Sequence, residues 1–234
     1  MSLYEINNLV KLYGEGENKV RALDDISINI ESGKFIVVLG ASGSGKSTLL
    51  NILGGMDSAT AGEIIFNGEN ITKLDQRRLT RFRKENIGFV FQSYNLLPNL
   101  TAIENVEFST EIGKLPKEGA ENALAVVGLS QRKNHFPAEL SGGEQQRISI
   151  ARAIAKNPKV LLCDEPTGAL DFKTGIMILN VLCNINKKHG TSIILITHSQ
   201  DIAKVADVVI KMRSGKIIDT VYNPSPLSPD EVEW

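Results

Sequence analysis

The nine residues 40–48, GASGSGKST, have the types and spacing of a phosphate-binding loop. They match G-x-x-x-x-G-K-[ST] in full and stand between the apolar run FIVVLG and a helical pattern, which is the setting this motif requires. The three glycines let the backbone curl so that its N–H groups face phosphate oxygens. Lys46 is expected to reach the β- and γ-phosphates, and the Ser47 hydroxyl suits Mg²⁺.

A pair of carboxylates follows a second apolar run, in VLLCDEP at 160–166. Asp164 stands at the end of a predicted buried strand, where a carboxylate can hold Mg²⁺ directly or through water. Glu165 follows on the other side of the pleat and is free to take a proton from an attacking water. Together with the loop at 40–48, the pair predicts hydrolysis at a phosphate site.

Two further polar residues close apolar runs: His198 in LITHS and Gln92 in IGFVFQ. The carboxyl ends of parallel strands meet at one edge of a sheet, where ligands of open α/β sheets bind. We therefore expect His198 to sense the γ-phosphate and Gln92 to ligate Mg²⁺ or position water. The alternatives are a structural histidine and a solvated amide at a strand end.

A second anion site is predicted in LSGGEQQR, residues 140–147. Ser141 can cap a helix and present its hydroxyl, while Gly142 and Gly143 allow an anion to approach the backbone. No lysine follows, and no second Asp-Glu strand accompanies this segment, so it has the features of half a site. In isolation the same segment also fits an ordinary helix cap with a polar first turn.

The elements around these motifs predict an α/β fold. Short strand and turn patterns fill the first part of the chain, in LYEINNLVKLY, RALDDISINI and GEIIFNG, and indicate an antiparallel β layer. FIVVLG, KVLLCDEP and SIILITH are continuous apolar runs, typical of strands buried on both faces, and they alternate with helical patterns, which implies a parallel sheet. VVIKMRSGKIIDTV predicts a closing hairpin around Ser214-Gly215.

This order predicts a single domain over 1–234. Residues 1–92 and 157–222 are expected to form the core with its β layer, and 93–156, mostly helical, to form an inserted subdomain. The tail 223–234 has three prolines in a short polar stretch and contains the only tryptophan, Trp234. We expect it to be mobile or to dock on a partner.

Composition excludes several classes. The 234 residues carry a formal net charge of −1, which gives no support for nucleic-acid or membrane-surface binding through bulk charge. No leader-like pattern opens the sequence, and its apolar runs fall far below the ~18 residues of a membrane span. The protein is therefore expected in the cytoplasm, with any membrane role supplied by a partner. Cys163 and Cys183 stand among apolar residues, which predicts reduced core side chains.

Taken together, the motifs resemble the nucleotide-binding subunits of ABC transporters, from Tyr4 to about Val221. The family's ordered set is present as GASGSGKS, Gln92, LSGGEQQR, VLLCDEP, GALD at 168–171 and His198. The resemblance implies the ABC ATPase fold, a P-loop core with an antiparallel β layer and a helical subdomain.

The resemblance also assigns roles. It implies Glu165 as catalytic base, His198 as switch residue, Asp171 as the dimer-contact aspartate and Gln92 as the link to the membrane partner. Lys46, the phosphate ligand of the loop, is also expected to act in catalysis. It implies a metal site for Mg²⁺ at Ser47, Gln92 and Asp164. The residues expected to bind ATP, with Tyr13 stacking on adenine, are Tyr13, Val20, Gly40, Ser42, Gly43, Ser44, Gly45, Lys46, Ser47, Thr48, Ser141, Gly142, Gly143, Gln145 and Asp171. For Tyr13 the alternative is a half-buried strand tyrosine.

Half a site on each chain suggests a two-fold dimer, and the resemblance implies the same head-to-tail sandwich around two ATP molecules. IGFVFQSYNLLPNLTAIENVE and DEPTGALDFKTG are similar to the branch of macrolide-efflux, lipoprotein-release, antimicrobial-peptide and cell-division ATPases. Partners in that branch are permeases with few spans and a large extracytoplasmic domain, which implies a location on the inner face of the cell membrane. This chain departs from the branch at Phe172, in ALDFKTG, and in a shorter segment between Glu107 and Leu124.

Several functions stay open on the sequence. The first is export or extraction of a peptide, lipoprotein or hydrophobic drug. The second is an ATPase that regulates a cell-wall or signalling complex without transport. A relative acting on DNA or ribosomes would need a coiled-coil insertion or a tandem domain with basic patches, which this sequence lacks. The apolar residues Tyr94, Leu96, Leu97 and Leu100 could contact the permease or pack in the core.

Overall fold

The computed structural model describes residues 2–113 and 118–232. Its strands, in chain order, are β1 Ser2–Tyr13, β2 Val20–Glu31, β3 Phe35–Leu39, β4 Ala61–Phe66, β5 Glu69–Asn70, β6 Ile87–Val90, β7 Val160–Asp164, β8 Ser192–Thr197, β9 Val208–Arg213 and β10 Lys216–Tyr222. Its α-helices are α1 Lys46–Leu53, α2 Gln76–Asn86, α3 Ala102–Gly113, α4 Glu118–Val126, α5 Gly142–Ile154 and α6 Phe172–His189.

The strands form two sheets, as the strand patterns predict. The first is antiparallel, in the order β2-β1-β4-β5. The second has the order β10-β9-β3-β8-β7-β6 and is parallel from β9 to β6, while β10 returns antiparallel as the predicted hairpin. The ABC ATPase fold expected from the motifs, with a parallel sheet and a separate antiparallel layer, is confirmed.

The parallel sheet is buried on both faces, which explains its unalternating apolar strands. Along β3, Phe35 and Val37 face the cluster that includes α5 and α6, whereas Ile36 and Val38 face the cluster shared with α1 and the antiparallel sheet. All four are at most 3% exposed. Each strand therefore holds the loop at its carboxyl end between two packed layers.

The helical segment is more interrupted than the pattern over 93–156 predicts, because residues 93–101 form a loop. Tyr94 and Asn95 have positive φ, which a helix excludes. The buried Asn105 side chain organises this loop: its Oδ1 accepts from Leu97 N at 2.7 Å, and its Nδ2 donates to Leu97 O at 3.1 Å and Leu100 O at 2.9 Å. These bonds substitute for the backbone pairing that a helix would supply.

The tail packs on its own chain, which corrects the expectation of a mobile or partner-docked segment. Leu227 N donates to Lys204 O at 3.0 Å, and Asn180 of α6 donates to Asp230 Oδ1 at 2.8 Å. Val232 is 2% exposed within the core. Burial of Pro229 and Val232 anchors the segment on the protein. Trp234 lies outside the described residues.

Cys163 and Cys183 are free thiols buried in the core, as expected. Burial raises the pKa of the Cys183 thiol to about 11, so it stays protonated at neutral pH. The domain organisation itself, one domain over 1–234 with its core at 1–92 and 157–222, stays a prediction.

Candidate functional site

The loop at 40–48 joins β3 to α1, as its sequence predicts. Gly45 has φ +99°, and a Cβ there would lie 2.5 Å from Ala22 O, so only glycine fits. The Lys46 side chain is turned back onto the loop, and its Nζ donates to Gly40 O at 2.7 Å and Ala41 O at 3.0 Å. Lys46 can exchange these carbonyls for phosphate oxygens.

The Ser44 hydroxyl is buried and has no hydrogen-bond partner among the described residues. A buried polar atom left without a partner is costly unless a ligand satisfies it. Its position inside the loop therefore fits a phosphate-bearing ligand. Ser42 and Gly43 are exposed at the same loop.

The acidic pair occupies the end of β7. The Ser47 side chain of α1 interacts with the Asp164 carboxylate and favours its charged form, which connects the strand to the loop. Burial, followed by the adjacent Glu165 charge, raises the pKa of Asp164 above its usual range. A cation bound at Asp164 would offset both the burial of its carboxylate and the repulsion from the Glu165 charge.

Glu165 has an unusual backbone, with φ +46°. Its N–H donates to Ile196 O of β8 at 3.1 Å, which holds the turn against the neighbouring strand. Its carboxylate is held from the β8 side: His198 Nδ1 lies 3.1 Å from Oε1, and Thr197 Oγ1 donates to Oε2 at 3.3 Å. A non-glycine residue with positive φ at such a position is typical of functional sites, where surrounding contacts maintain it.

Gln92 lies two residues beyond the end of β6, not at the strand end, and is exposed. A Cβ on Gly168 would lie 3.0 Å from Gln92 Nε2, so the amide extends close to the loop that follows Glu165. Tyr13, at the end of β1, and Val20, at the start of β2, are 42% and 62% exposed.

An open cleft of about 980 Å³ brings most of the predicted residues together. It is lined by Tyr13, Val20, Arg21, Ala22, Ser42, Gly43, Gly45, Lys46, Ser47, Thr48, Gln92, Asp164, Glu165, His198, Ser214 and Gly215. Oxygen donors from Asp164, Ser47 and Gln92 suit Mg²⁺, which prefers carboxylate, hydroxyl and amide oxygens together with phosphate and water. Among the described residues, no group of three or more His, Cys, Asp or Glu could hold a metal ion.

The predicted residues of the LSGGEQQR segment do not line this cleft. Ser141 is exposed and caps α5, with Glu144 N donating to its Oγ at 3.3 Å and Glu144 Oε2 accepting from Ser141 N at 2.9 Å. The Gln145 amide of α5 donates to Pro137 O and Leu140 O in the segment that precedes the helix. Asp171 caps α6 by accepting from Thr174 N at 3.1 Å. In one chain these residues serve as helix caps and loop ties.

The glycines of this segment have a packing role that the sequence did not indicate. A Cβ on Gly143 would lie 2.2 Å from Thr174 Cγ2, and one on Gly142 would lie 2.8 Å from Tyr94 Oη. A larger residue at either position would have to displace the Thr174 or Tyr94 side chain, so the glycines favour close packing of α5 against α6 and the 93–101 loop. This packing holds whether or not an anion binds there.

Sequence reasoning missed three residues that support the site. Asp57 accepts a hydrogen bond from the Tyr13 hydroxyl at 2.6 Å, across 44 positions of sequence. Gln146, fully buried, donates to Pro166 O beside Glu165 at 2.9 Å. Arg152 donates to Tyr94 O at 2.9 Å and so holds the loop after Gln92. Asp57 and Arg152 lie in no motif, and although Gln146 lies within LSGGEQQR, its role depends, like theirs, on a contact distant in sequence.

The loop at 40–48, the Asp-Glu strand end and the parallel sheet define a P-loop ATPase. The sequence profile of the ABC transporter family matches residues 23–168. The chain therefore belongs to the ABC transporter family, as the motifs indicated, and it is an ATP-binding subunit with ATPase chemistry.

Similar proteins agree with this assignment. An uncharacterised ABC transporter ATP-binding protein of Methanocaldococcus jannaschii is 43% identical over 223 residues, covering 94% of this chain and 99% of that protein. The macrolide export ATP-binding/permease protein MacB of Hyphomonas neptunium is 46% identical over 236 residues, covering 99% of this chain but only 36% of MacB. The chain thus spans about a third of that relative.

A solved structure extends the likeness to three dimensions. The ATP-binding cassette MJ0796, described as a dimer in a post-hydrolysis state bound to ADP and Pi, superposes with a TM-score of 0.86 at 38% identity. The match covers 94% of this chain and 98% of that one. In the described ranges 2–113 and 118–232, no helix has the length and apolar character needed to cross a bilayer.

Proposed function

We propose that two copies of this chain close head to tail around two ATP molecules. Each copy would hold ATP in its own cleft and cover the partner's ATP with Ser141, Gly142, Gly143, Gln145 and Asp171. The observation that carries this proposal is that none of these residues lines the cleft containing Lys46 and Glu165. The dimer reported for MJ0796 supports it.

Within each site we propose distinct roles for the residues of the cleft. Lys46 leaves the Gly40 and Ala41 carbonyls and binds the β- and γ-phosphates. Glu165 takes a proton from the attacking water, and His198 holds the Glu165 carboxylate in place. Asp164, Ser47 and Gln92 would hold Mg²⁺, which when bound neutralises charge on the phosphates. Tyr13 and Val20 would contact adenine.

We propose further that the dimer drives a membrane permease from the cytoplasmic face of the membrane. The name of MacB, which joins an ATP-binding part and a permease in one protein, supports a permease partner for this chain. Export of a peptide, lipoprotein or hydrophobic drug through a few-span permease with a large extracytoplasmic domain is the finer form of the proposal. No contact with nucleic acid is proposed.

The segment after Gln92 is proposed to transmit nucleotide state to the permease. Leu96 packs against the core, whereas Leu97 is 41% exposed. The alternative of pure core packing therefore describes Leu96 but not Leu97. Arg152 fixes the backbone of Tyr94, so movement of α5 would be carried into this loop.

The test is to co-express the chain with a candidate few-span permease from the same organism and to measure hydrolysis and substrate movement in vesicles. We expect the permease to copurify and to stimulate hydrolysis, with transport that the Glu165→Gln variant abolishes. Stimulated hydrolysis without movement of any peptide, lipoprotein or drug tested would support a regulatory ATPase instead. A chain that binds no permease would contradict both.

A further inference from the structure

Three residues from separate parts of the chain form one hydrogen-bonded group at the edge of the cleft. Tyr13 Oη donates to Asp57 Oδ2 at 2.6 Å, and Lys11 Nζ donates to Asp57 Oδ1 at 2.6 Å and to Ser58 O at 2.7 Å. Lys11 Nζ also stands 4.7 Å from the centroid of the Tyr13 ring. Lys11 and Tyr13 are two apart on β1, so their side chains share a face of the strand.

The group holds the Tyr13 ring at two points. Asp57 accepts a hydrogen bond from its hydroxyl, and the Lys11 ammonium covers one face of the ring. A Tyr side chain that is 42% exposed would otherwise rotate about χ1 and χ2. With one face on Lys11, the other face is left for a planar ligand.

The charges in the group support one another. Lys11 is only 8% exposed, and its ammonium is neutralised by Asp57, whose pKa is lowered below its usual range because hydrogen bonds from Lys11 and Tyr13 outweigh its partial burial. Burial, followed by the hydrogen bond to Asp57, raises the pKa of Tyr13, so the hydroxyl keeps its proton and donates. A donating phenol and a neighbouring cation are both stable in this arrangement.

We infer that Asp57 and Lys11 are positioning residues that set the Tyr13 ring as a platform for the nucleotide base. This inference rests on the proposed role of Tyr13 and adds to it the residues on which that role depends. Because the Tyr13 ring is already ordered before the ligand binds, binding costs little side-chain conformational entropy. The Tyr13 platform is expected to contribute to binding of the base. It should not affect binding of the phosphates, which occurs at the loop at 40–48.

The experiment compares ATP with inorganic tripolyphosphate, which has the phosphates but no base. Affinities of both are measured by calorimetry for wild type, Tyr13→Ala, Tyr13→Phe, Asp57→Ala and Asp57→Asn. Tyr13→Phe removes one hydroxyl from an exposed side chain and keeps the fold intact. Glu121→Ala, which breaks the exposed pair with Lys133 in the helical segment, is the matched control and should leave both affinities unchanged.

We expect Tyr13→Ala to weaken ATP binding by roughly 10-fold or more, the range found for base–aromatic stacking. Asp57→Ala and Tyr13→Phe should weaken it by about 3- to 10-fold, as for loss of one hydrogen bond, with Asp57→Asn intermediate because it keeps an acceptor oxygen. Tripolyphosphate affinity should stay at the wild-type level, because tripolyphosphate has no base to stack on Tyr13. Asp57→Ala should have no further effect in the Tyr13→Ala background.

Different results would contradict the stacking role of Tyr13 and the positioning role of Asp57 and Lys11. If Tyr13→Ala leaves ATP affinity unchanged, the proposed stacking role of Tyr13 is wrong. If Tyr13→Ala weakens ATP binding but Asp57→Ala and Tyr13→Phe do not, the positioning inference is overturned and stacking stands. A loss with Asp57→Ala that persists in the Tyr13→Ala background, or that affects tripolyphosphate equally, would also overturn the inference.

Discussion

His198 Nδ1 lies 3.1 Å from Glu165 Oε1, and this contact joins the ends of the neighbouring strands β7 and β8 at the cleft. The His198 side chain is 71% exposed, whereas that of Glu165 is 18% exposed. The histidine therefore stands on the solvent side of the carboxylate and limits where it can turn. Together with the positive φ of Glu165, it fixes the proposed base in relation to the phosphate loop.

Replacing Glu165 by Gln should slow ATP hydrolysis by at least ~10², because the amide cannot take the proton from water. The amide has nearly the same shape, so ATP binding should survive. An ATP-dependent dimer should then accumulate and be detectable by size-exclusion chromatography. A variant that stays monomeric at saturating ATP would contradict the sandwich for the isolated chain.

Replacing Lys46 by Ala should abolish turnover by removing the cation that binds the β- and γ-phosphates, a loss of at least ~10² in rate. Its present partners are the carbonyls of Gly40 and Ala41, which water can satisfy, so the fold should persist. Steady-state phosphate release checks the rate, and circular dichroism checks the fold. Near-normal hydrolysis would contradict the proposal that Lys46 binds the β- and γ-phosphates.

Replacing Ser141 by Arg should spare ATP binding to one chain and block turnover. Ser141 is exposed and lies outside its own cleft, so a large cation there obstructs only a facing chain. Loss of the helix cap costs about 1 kcal/mol and should lower thermal stability slightly. Ser130→Arg adds the same charge at another exposed serine and should hydrolyse ATP normally. Equal turnover in both variants would indicate that the LSGGEQQR segment acts only as a helix cap.

The Asp164 carboxylate should make the nucleotide-free protein more stable in mild acid. Its pKa is raised, so just above the usual aspartate value of about 4 the folded protein binds more protons than the unfolded chain. Stability contributed by this group therefore rises as pH falls through that window. Asp164→Asn should unfold at a higher temperature than wild type at pH 7 and flatten this pH dependence. A lower unfolding temperature for the variant at pH 7 would contradict the raised pKa.

Local patterns were sufficient to predict most of this molecule. The loop at 40–48 and the ends of β7 and β8 are each defined by residues adjacent in sequence, so their chemistry was predictable together with the sheet that holds them. Contacts between distant segments were not predictable. Neither Asp57 beneath Tyr13 nor Val232 in the core is marked by any repeat or motif, because each depends on how separate elements pack.

Gly143 is a second case in which a contact between distant segments could not be predicted from the sequence. Its place after Ser141 predicted close approach of an anion, whereas the structure gives it a packing reason, contact with Thr174 of α6. Both reasons call for glycine, so the residue type alone could not separate them. Gly143→Ala would disturb α5 in a single chain, and Ser141 is the cleaner probe of the interface.

The central claim, that each chain supplies half of two active sites, is tested most directly by mixing two inactive variants. In a dimer of Lys46→Ala with Ser141→Arg, one site contains both changes and the other contains neither. Random mixing makes half the dimers mixed, so the mixture should recover up to roughly a quarter of wild-type hydrolysis. As a control, Lys46→Ala mixed with the Lys46→Ala/Ser141→Arg double variant leaves no intact site and should stay inactive. Recovery in the first mixture alone is the predicted result, and a first mixture no more active than its separate components would contradict the shared-site account.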